Sequence, residues 1–235
     1  MTKPEAQDEV ARVRAAYARR TERGLDSRYQ YWRPENLYIH QSRERTVLGL
    51  LKAAGLLPLS GREILDVGCG DGSQLESLKR YGAEEDRLHG IDLLETRVDA
   101  AKRRLTQADV RNADARSLPF AEGSFDLVLA FTLFSSVLDD RLRAQIAAEM
   151  LRVSRQDGLI LVYDFWINPL NRDARSLSRA SLRRLFQGHK VLFRATTLAP
   201  PLLRALVRLP GGWLACNLLE VIPFVKTHYV AAVRV

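Results

Sequence analysis

The stretch ILDVGCGDGS, residues 64–73, decides the fold of this chain. A short, mainly apolar run leads directly into three glycines at alternate positions, Gly68, Gly70 and Gly72. Such a run predicts a buried strand, and glycines allow the backbone of the following turn to approach a ligand closely. A helix that begins after the turn presents unpaired N–H groups to that ligand. The stretch therefore predicts a strand, a ligand-binding turn and a helix.

Asp66, two residues before the first glycine, narrows the choice of ligand. Dinucleotide-binding turns are spaced G-x-G-x-x-G, whereas this turn is spaced G-x-G-x-G. A carboxylate is unfavourable beside a pyrophosphate because both groups are negatively charged. The motif instead favours a ligand that carries an ammonium group and no phosphate.

From residue 62 onward, short runs rich in Val, Ile and Leu alternate with amphipathic segments. Continuous hydrophobicity is typical of strands that are buried on both faces by helices. The apolar runs are EILDVG, LHGIDL, residues 109–113, FDLVLAF, GLILVYDF, VLFRATT and HYVAAVRV, and the clearest crossover helices are ETRVDAAKRRL and DRLRAQIAAEMLRVSR. The pattern predicts an α/β fold with a doubly wound sheet and helices on both faces.

An acidic residue followed by G-x-G-x-G resembles the first motif of the class I S-adenosylmethionine-dependent methyltransferases. The likeness covers roughly residues 37–235 and is sharpest over residues 64–165. It implies a Rossmann-like sheet of seven strands, mostly parallel with one antiparallel strand. It also implies an N-terminal helical cap at residues 1–55 and an S-adenosylmethionine-binding domain at residues 56–235, with a substrate-covering insertion at about 199–226.

The same resemblance implies S-adenosylmethionine as the cofactor and assigns residues to it. Asp66 would lie near the methionine ammonium group, and Gly68, Gly70 and Gly72 would form the turn beside the cofactor. Asp92, which follows the second predicted strand, would accept hydrogen bonds from both ribose hydroxyls, as a carboxylate can.

Further along the chain, NADARSLPFAEGSFDLVLAF resembles the stretch of this family that leads into the fourth strand. Asp114 would accept a hydrogen bond from the adenine amino group, and the N–H of Ala115 would meet a ring nitrogen. Leu93 would lie against the adenine face. Phe131 would line the methionine end of the cofactor.

Catalytic residues are harder to identify than cofactor ligands. Methyl transfer mainly requires alignment of the two reactants, and a hydroxyl nucleophile also needs a base. Asp164, at the end of the fifth predicted strand, is the first candidate, and His40, in the helix before the sheet, is the second. The loop FTLFSSVLDD lacks the histidine that many small-molecule methyltransferases of this family carry there.

Aromatic residues near the predicted cap form a candidate lid. Tyr29, Tyr31, Trp32 and Tyr38 could cover a sulfonium ion, because ring faces attract cations, and ordinary helix packing explains them equally well. Tyr31 and Trp32 are therefore predicted substrate-binding residues.

The insertion TLAPPLLRALVRLPGGWLACNLLEVIPFVKTHY adds Trp213 as a third substrate-binding candidate. Its apolar residues suggest a pocket wall, a membrane-contacting patch with Arg204 and Arg208 at its edge, or a contact with the core or with another copy.

Composition sets further limits. The chain has 235 residues, of which 36 are Lys or Arg and 28 Asp or Glu, and its net charge of +8 raises the question of an anionic partner. Its two cysteines have neither disulfide-framework nor metal-ligand spacing, so no metal is expected.

The charged N-terminus does not resemble a signal peptide. We expect a cytoplasmic protein, with peripheral contact to the inner face of a membrane and oligomerisation as open alternatives.

The sequence therefore predicts a methyltransferase that methylates a hydroxyl oxygen of a small molecule, a sugar or a lipid-linked acceptor. Two alternatives remain open, a nucleic-acid methyltransferase and a cofactor-binding protein without catalysis. The stretch AFTLF stands where amino-group methylases of bases usually carry Asn or Asp, two prolines and an aromatic residue. A basic cluster favours nucleic acid, although a solvated helix face explains it as well: Arg172, Arg175, Arg179, Arg183 and Arg184.

Overall fold

The computed structural model describes residues 3–22, 24, 30–167 and 174–235 of the chain. Tyr29 and Arg172, both named above, lie outside these residues. Within the described residues, no helix has the combination of length and hydrophobicity that crossing a membrane requires.

Seven strands form one sheet. They are β1 (Ile64–Val67), β2 (Leu88–Asp92), β3 (Asp109–Asn112), β4 (Phe125–Phe131), β5 (Ser154–Phe165), β6 (Lys190–Leu198) and β7 (Lys226–Arg234). Their order is β3-β2-β1-β4-β5-β7-β6. Only β7 runs antiparallel to its neighbours, β5 and β6, among these strands. The predicted seven-stranded, mostly parallel sheet is confirmed.

Eight α-helices accompany the sheet in the described residues. They are α1 (Lys3–Glu22), α2 (Pro34–Ala53), α3 (Ser73–Leu78), α4 (Glu95–Arg104), α5 (Asp140–Val153), α6 (Arg179–Leu185), α7 (Pro200–Leu206) and α8 (Gly212–Leu219). Helix α5 shows why such segments become helical. Asp139 caps it by accepting from the N–H groups of Arg141 and Leu142, and its apolar stripe packs onto the sheet.

The core consists of one layer on each face of the sheet because successive strand residues point to opposite faces. Ile64 belongs to the layer formed with α2, α3 and α4. Leu65 belongs to the layer formed with α5 and α6. A third, smaller cluster joins α2 to α7 and α8 through residues that include Tyr38, Leu203 and Cys216. The insertion between β6 and β7 is therefore docked against α2.

The strand order reverses at β1, which lies between β2 and β4. In open α/β sheets, ligands bind in the crevice outside the carboxyl ends of the strands at such a reversal. The glycine turn of residues 68–72 follows β1 directly, so the sequence motif lies at that crevice.

Candidate functional site

The glycine turn adopts a backbone conformation that only glycine tolerates well. Gly68, Gly70 and Gly72 have φ values of +81°, +57° and +77°. A Cβ at Gly72 would lie 3.1 Å from the Cβ of Ala101 on α4, and a Cβ at Gly68 would lie 3.1 Å from Cδ1 of Leu133. Gly70 has more room, since the nearest atom to an added Cβ is Nη1 of Arg97 at 3.7 Å, and both Gly68 and Gly70 line an open cleft. Gly72, predicted as a cofactor residue, instead allows close packing of the turn against α4.

Asp92 ties the glycine turn to the end of β2. One of its carboxylate oxygens accepts from the N–H of Gly70 at 2.9 Å, and the other accepts from the N–H of Leu94 at 2.9 Å. Each oxygen keeps acceptor capacity after these bonds, because an ionised carboxylate offers about four lone-pair sites. Asp92 lines a cavity, which we call the inner cavity, and Leu93 lies beside it there.

The inner cavity brings together most of the residues predicted to hold an adenosine group. Leu93, Asp114, Ala115 and Phe131 all line it. Asp114 forms a two-pronged ion pair with Arg116, with closest atoms 2.5 Å apart. Although burial raises it, this pairing holds the pKa of Asp114 below its usual value. Asp114 is therefore a charged acceptor at the rim of the cavity.

Helix α1 covers the inner cavity. The sequence analysis predicted a helical cap but did not identify which of its residues line the cavity. Val10, Val13 and Tyr17 line the cavity from this helix. The Arg97 guanidinium of α4 lies 4.2 Å from the centre of the Tyr17 ring. Glu9 anchors the helix by accepting from the N–H of Leu138 at 2.7 Å.

A larger opening, the outer cleft, joins the inner cavity through shared wall residues such as Gly68, Phe131 and Thr132. Asp66 lies in the wall of this cleft and is only 2% exposed. Its Oδ1 atom is buried and has no hydrogen-bond partner. Burial, together with the nearby Asp92, raises the pKa of Asp66 to about 7. An unsatisfied buried acceptor of this kind fits a cationic donor in the cleft.

Arg43 of α2 is the main functional candidate that the sequence analysis missed. Its guanidinium donates to Gln74 at 2.9 Å and lies 3.1 Å from Nδ1 of His40. It also lies 5.3 Å from the ring centre of Phe131 and 5.2 Å from that of Tyr163. Arg43 therefore places a half-buried positive charge in the wall of the outer cleft. Its position three residues after His40, on the same helix face, was the available signal.

His40 also lines the outer cleft, with the Tyr31 ring 5.0 Å away. Burial and the Arg43 guanidinium lower the pKa of His40 to about 4. The imidazole is therefore neutral at pH 7 and able to accept a proton, but it is a weak base. The structure brings His40 and Tyr31 to the cleft as the sequence suggested.

Asp164, the first candidate for a catalytic base, lies in the core and away from both openings. It is 0% exposed and lines neither the inner cavity nor the outer cleft. Its Oδ2 accepts from the N–H of Ser135 at 2.9 Å, and its Oδ1 accepts from the N–H of Phe165. Burial raises the pKa of Asp164 to about 6. The carboxylate holds the loop after β4 to the end of β5, so the prediction that it contacts a substrate is not supported.

Two predicted substrate-binding tryptophans also lie outside both openings. Trp32 is 71% exposed and lines neither of them. Trp213 packs edge-on against Tyr38, with ring centres 5.3 Å apart. Tyr38 is buried, and its hydroxyl donates to Asn217. Tyr38 and Trp213 therefore attach the insertion to α2 and do not form a lid, because their rings pack against each other in the third core cluster.

Comparison with known proteins shows that the chain is similar to methyltransferases. The sequence model of a family described as a methyltransferase domain matches residues 64–158. The chain is 30% identical over 178 residues, 72% of its length, to the 27-O-demethylrifamycin SV methyltransferase of Amycolatopsis mediterranei. It is 29% identical over 138 residues, 52% of its length, to the ubiquinone biosynthesis O-methyltransferase of Bartonella quintana. The chain spans 62% and 55% of the lengths of these two relatives.

A solved structure shares the fold. It is the 1,6-didemethyltoxoflavin-N1-methyltransferase of Burkholderia thailandensis, determined with 1,6-didemethyltoxoflavin and S-adenosylhomocysteine bound. The alignment covers 100% of this chain and 91% of that protein, with a TM-score of 0.61 and 16% sequence identity.

Proposed function

This chain belongs to the class I S-adenosylmethionine-dependent methyltransferases, and we propose that it transfers the methyl group of S-adenosylmethionine to a hydroxyl oxygen. The acceptor we propose is a small molecule, a sugar or a lipid-linked molecule. One observation gives the strongest support to S-adenosylmethionine as the methyl donor. Asp66 holds a buried, unpartnered carboxylate oxygen beside a positive-φ glycine turn, which fits a ligand with an ammonium group and no phosphate.

The residues of the two openings fit the successive parts of the cofactor. Asp92 would accept from the ribose hydroxyls through its free lone pairs. Asp66 would pair with the ammonium group. Arg43 supplies a half-buried positive charge for the carboxylate, which is carried by the same α-carbon as the ammonium group.

The base ring would occupy the inner cavity. Leu93 and Ala115 would lie against it, and Asp114 would accept from its amino group. Helix α1 would cover this end of the cofactor. The proposed division of the chain is a helical cap at residues 1–55 and a cofactor-binding domain at residues 56–235, with the insertion at about 199–226 as the substrate cover.

When bound, S-adenosylmethionine supplies an electrophilic methyl group on a sulfonium ion. The chain itself would contribute alignment and exclusion of water, since orientation alone is worth about 7 to 11 kcal/mol. Phe131 and Thr132 would hold the methionine end, because both line the junction of the two openings. His40 would accept the hydroxyl proton, because it lies in the cleft and is neutral at pH 7.

An oxygen acceptor is favoured over a ring nitrogen or a nucleic-acid base. The relatives named for O-methylation, one acting on a rifamycin and one in ubiquinone biosynthesis, support this choice. A nucleic-acid methyltransferase remains the second candidate, carried by the basic residues Arg175, Arg179, Arg183 and Arg184. A protein that binds the cofactor without turnover is the third. The proposed location is the cytoplasm, with peripheral contact to the inner face of a membrane as the alternative.

Calorimetric titration with S-adenosylmethionine tests the cofactor site. We expect the parent chain to bind and both Asp92→Ala and Asp66→Ala to abolish measurable binding. Asp109→Ala is the matched control, because Asp109 lies on the neighbouring strand β3, pairs with Arg111 and lines neither opening. A folded parent chain that does not bind would contradict the proposal.

The acceptor class is tested separately with a labelled methyl donor. Hydroxylated aromatic compounds, sugars, lipid-linked acceptors and total RNA would be offered in parallel. Incorporation into a hydroxyl compound supports the proposed reaction. Incorporation into RNA alone favours the nucleic-acid alternative, and cofactor binding with no incorporation favours the protein without catalysis.

A further inference from the structure

An apolar surface extends along the outside of the insertion. Eleven large apolar side chains are exposed among the residues that the structure describes, and six of them lie between residues 209 and 224. Val221 is 80% exposed and Phe224 is 89% exposed. We call these six the apolar surface: Leu209, Leu214, Leu218, Val221, Ile222 and Phe224. Contiguous exposed apolar residues commonly mark an interaction site.

Packing of the insertion forces these side chains outward. Leu214, Leu218 and Val221 are spaced at i, i+4 and i+7, which places them on one side of α8 and its following turn. The opposite side of α8 is docked, since Gly212 and Cys216 are buried. A Cβ at Gly212 would lie 1.9 Å from the carbonyl oxygen of Leu206, so α8 is in backbone contact with the end of α7. The packed helix pair therefore holds Leu214 and Leu218 of the apolar surface outward.

The apolar surface lies at the same edge of the sheet as the outer cleft. The insertion joins the carboxyl end of β6 to the beginning of β7, and β6 runs parallel to β5. Two further exposed apolar residues, Trp166 and Ile167, follow the end of β5. The N–H of Trp166 donates to the carbonyl of Thr227 at 3.0 Å, which connects this end of β5 to the end of the insertion.

The insertion itself carries a positive charge. Residues 199–226 contain three basic residues, Arg204, Arg208 and Lys226, and a single acidic residue, Glu220, a net charge of +2. Glu220 is itself paired with Arg45 at 2.7 Å. Arg204 lies on α7 and Arg208 follows this helix, before α8; both are exposed, and Arg208 pairs with Glu35 at 3.3 Å.

We propose that the apolar surface and the basic residues near it dock this protein on a lipid bilayer that contains anionic lipids. Exposed leucine and phenylalanine side chains flanked by arginine are the pattern of interfacial helices, whose apolar face enters the headgroup region while basic residues attract anionic lipid. A nucleic acid would bind the basic residues but would leave the apolar side chains exposed to water. An anionic bilayer would bind the basic residues and also bury the apolar side chains. Docking at this edge would hold the outer cleft near acceptors in or at the membrane.

Vesicle flotation tests the proposal with the full chain. We expect the parent protein to float with vesicles of phosphatidylcholine and phosphatidylglycerol at low salt, and much less with phosphatidylcholine alone. Added salt should weaken the binding, because ions screen the attraction between arginine and anionic headgroups. Absence of binding to anionic vesicles at low salt would overturn the proposal.

The apolar contribution is tested with a Leu218→Glu, Phe224→Glu double variant. We expect its vesicle partition coefficient to fall at least about tenfold, because two side chains can no longer be buried. Leu192→Glu is the matched control, since Leu192 is an exposed leucine on β6 outside the apolar surface. An equal loss in this control, or no loss in the double variant, would contradict the proposal.

The charge contribution is tested with Arg204→Glu, which should weaken binding by about fivefold or more. Arg103→Glu on α4 changes the net charge equally and is expected to leave binding nearly unchanged. Equal effects of the two reversals would show that only total charge matters and would refute the docking surface.

Two further measurements distinguish membrane docking from self-association and from damage to the cofactor site. Sedimentation without vesicles detects self-association, and a parent dimer that the double variant converts to monomer would assign the apolar surface to a second copy instead. Calorimetry with S-adenosylmethionine should give the same affinity for parent and double variant, because Leu218 and Phe224 line neither opening. If the double variant does not fold, Phe224→Ser alone provides the test.

Discussion

At the scale of single residues, Asp66 is central to the electrostatics of the proposed cofactor site. It is buried, and its charge interacts unfavourably with a second carboxylate, Asp92, and favourably with the Arg43 guanidinium. Without a ligand the neutral form is favoured, because burial penalises the charge and Asp92 repels it. A ligand with an ammonium group at this position would reverse the preference, so binding and ionisation of Asp66 would be coupled.

This coupling predicts pH-dependent cofactor binding. Affinity for S-adenosylmethionine should rise by up to about tenfold per pH unit between pH 5 and 7 and then level off, because the pKa of free Asp66 is about 7 and binding releases its proton. Calorimetry in buffers of different ionisation enthalpy measures the released proton. Asp66→Asn should weaken binding and remove the slope, and a parent chain with flat affinity over this range would contradict the coupling.

Asp164 gives a second prediction at this scale. If it only holds Ser135 and Phe165 in place, Asp164→Asn should lower methyl transfer by less than about tenfold, whereas loss of a general base costs about 100-fold or more. Asp164→Ala should reduce the free energy of unfolding by about 1 to 3 kcal/mol, because the two N–H groups lose their acceptor. Steady-state kinetics of the Asn variant and urea unfolding of the Ala variant make the distinction.

At the scale of elements, the glycine turn between β1 and α3 combines two functions. Gly70 faces the cleft, where the nearest atom to an added Cβ is Nη1 of Arg97 at 3.7 Å. Gly72 faces α4, where an added Cβ would crowd Ala101 and Leu105 at 3.1 Å. One glycine therefore serves the ligand and the other serves packing.

These two positions predict opposite effects on binding and stability. Gly72→Ala should lower the free energy of unfolding by about 2 to 4 kcal/mol, from left-handed backbone strain and steric crowding, and leave cofactor affinity nearly unchanged. Gly70→Ala should cost about 1 to 2 kcal/mol from backbone strain alone and weaken binding more. Urea unfolding and calorimetry of both variants test this, and a larger affinity loss for Gly72→Ala would contradict the assignment.

Helix α1 gives a further prediction through Tyr17, whose ring lies beneath the Arg97 guanidinium and lines both openings. Tyr17→Ala should weaken binding of S-adenosylmethionine about tenfold through faster dissociation, because the removed ring leaves the cavity open to water. Tyr17→Phe is the matched control, since it keeps the ring and removes only a hydroxyl 3.4 Å from that of Ser136. Dissociation rates by stopped flow decide the point, and equal rates for the Ala and Phe variants would exclude a covering role for the ring.

At the scale of the whole molecule, buried ionisable groups oppose one another. The pKa values of Asp66 and Asp164 are raised to about 7 and 6, so they lower stability as pH rises from about 4 to 7. The pKa values of His40 and His228 are lowered to about 4 by burial and by Arg43, so they lower stability as pH falls from about 6.5 to 4. The two contributions act in opposite directions over nearly the same range.

Stability should therefore change little between about pH 5 and 7 and fall below about pH 4. The fall is expected because four carboxyl groups accept hydrogen bonds from paired cations, which hold their pKa values below normal. Protonation removes this stabilisation. The four residues are Glu85, Asp109, Asp140 and Glu149. Urea unfolding across pH 3 to 8 measures the profile.

Two variants should tilt this profile in opposite directions. Asp66→Asn should make stability increase with pH between about 4 and 6.5, because the histidines are then less opposed. His228→Gln should make stability decrease over the same range. Identical tilts in both variants would refute the balance.

The sequence by itself determined the sheet and predicted several of the residues that line the two openings. The order of apolar runs, the G-x-G-x-G turn and Asp92 are local features, because strand burial, positive φ and the end of a strand are each written in a few consecutive residues. The same holds for the inner-cavity residues Leu93 and Ala115, which follow strands whose carboxyl ends share one edge of the sheet.

Only the tertiary structure decided which polar and aromatic residues face the openings. Asp164 and Trp213 have suitable chemistry, yet one is hydrogen-bonded in the core and the other packs on Tyr38. In the sequence, Arg43 does not differ from other charged helix residues. Only the position of α2 over the glycine turn brings it to the cleft. Such assignments depend on contacts between distant segments, and the pKa of a buried carboxyl depends on every charge brought near it, so no local pattern encodes them.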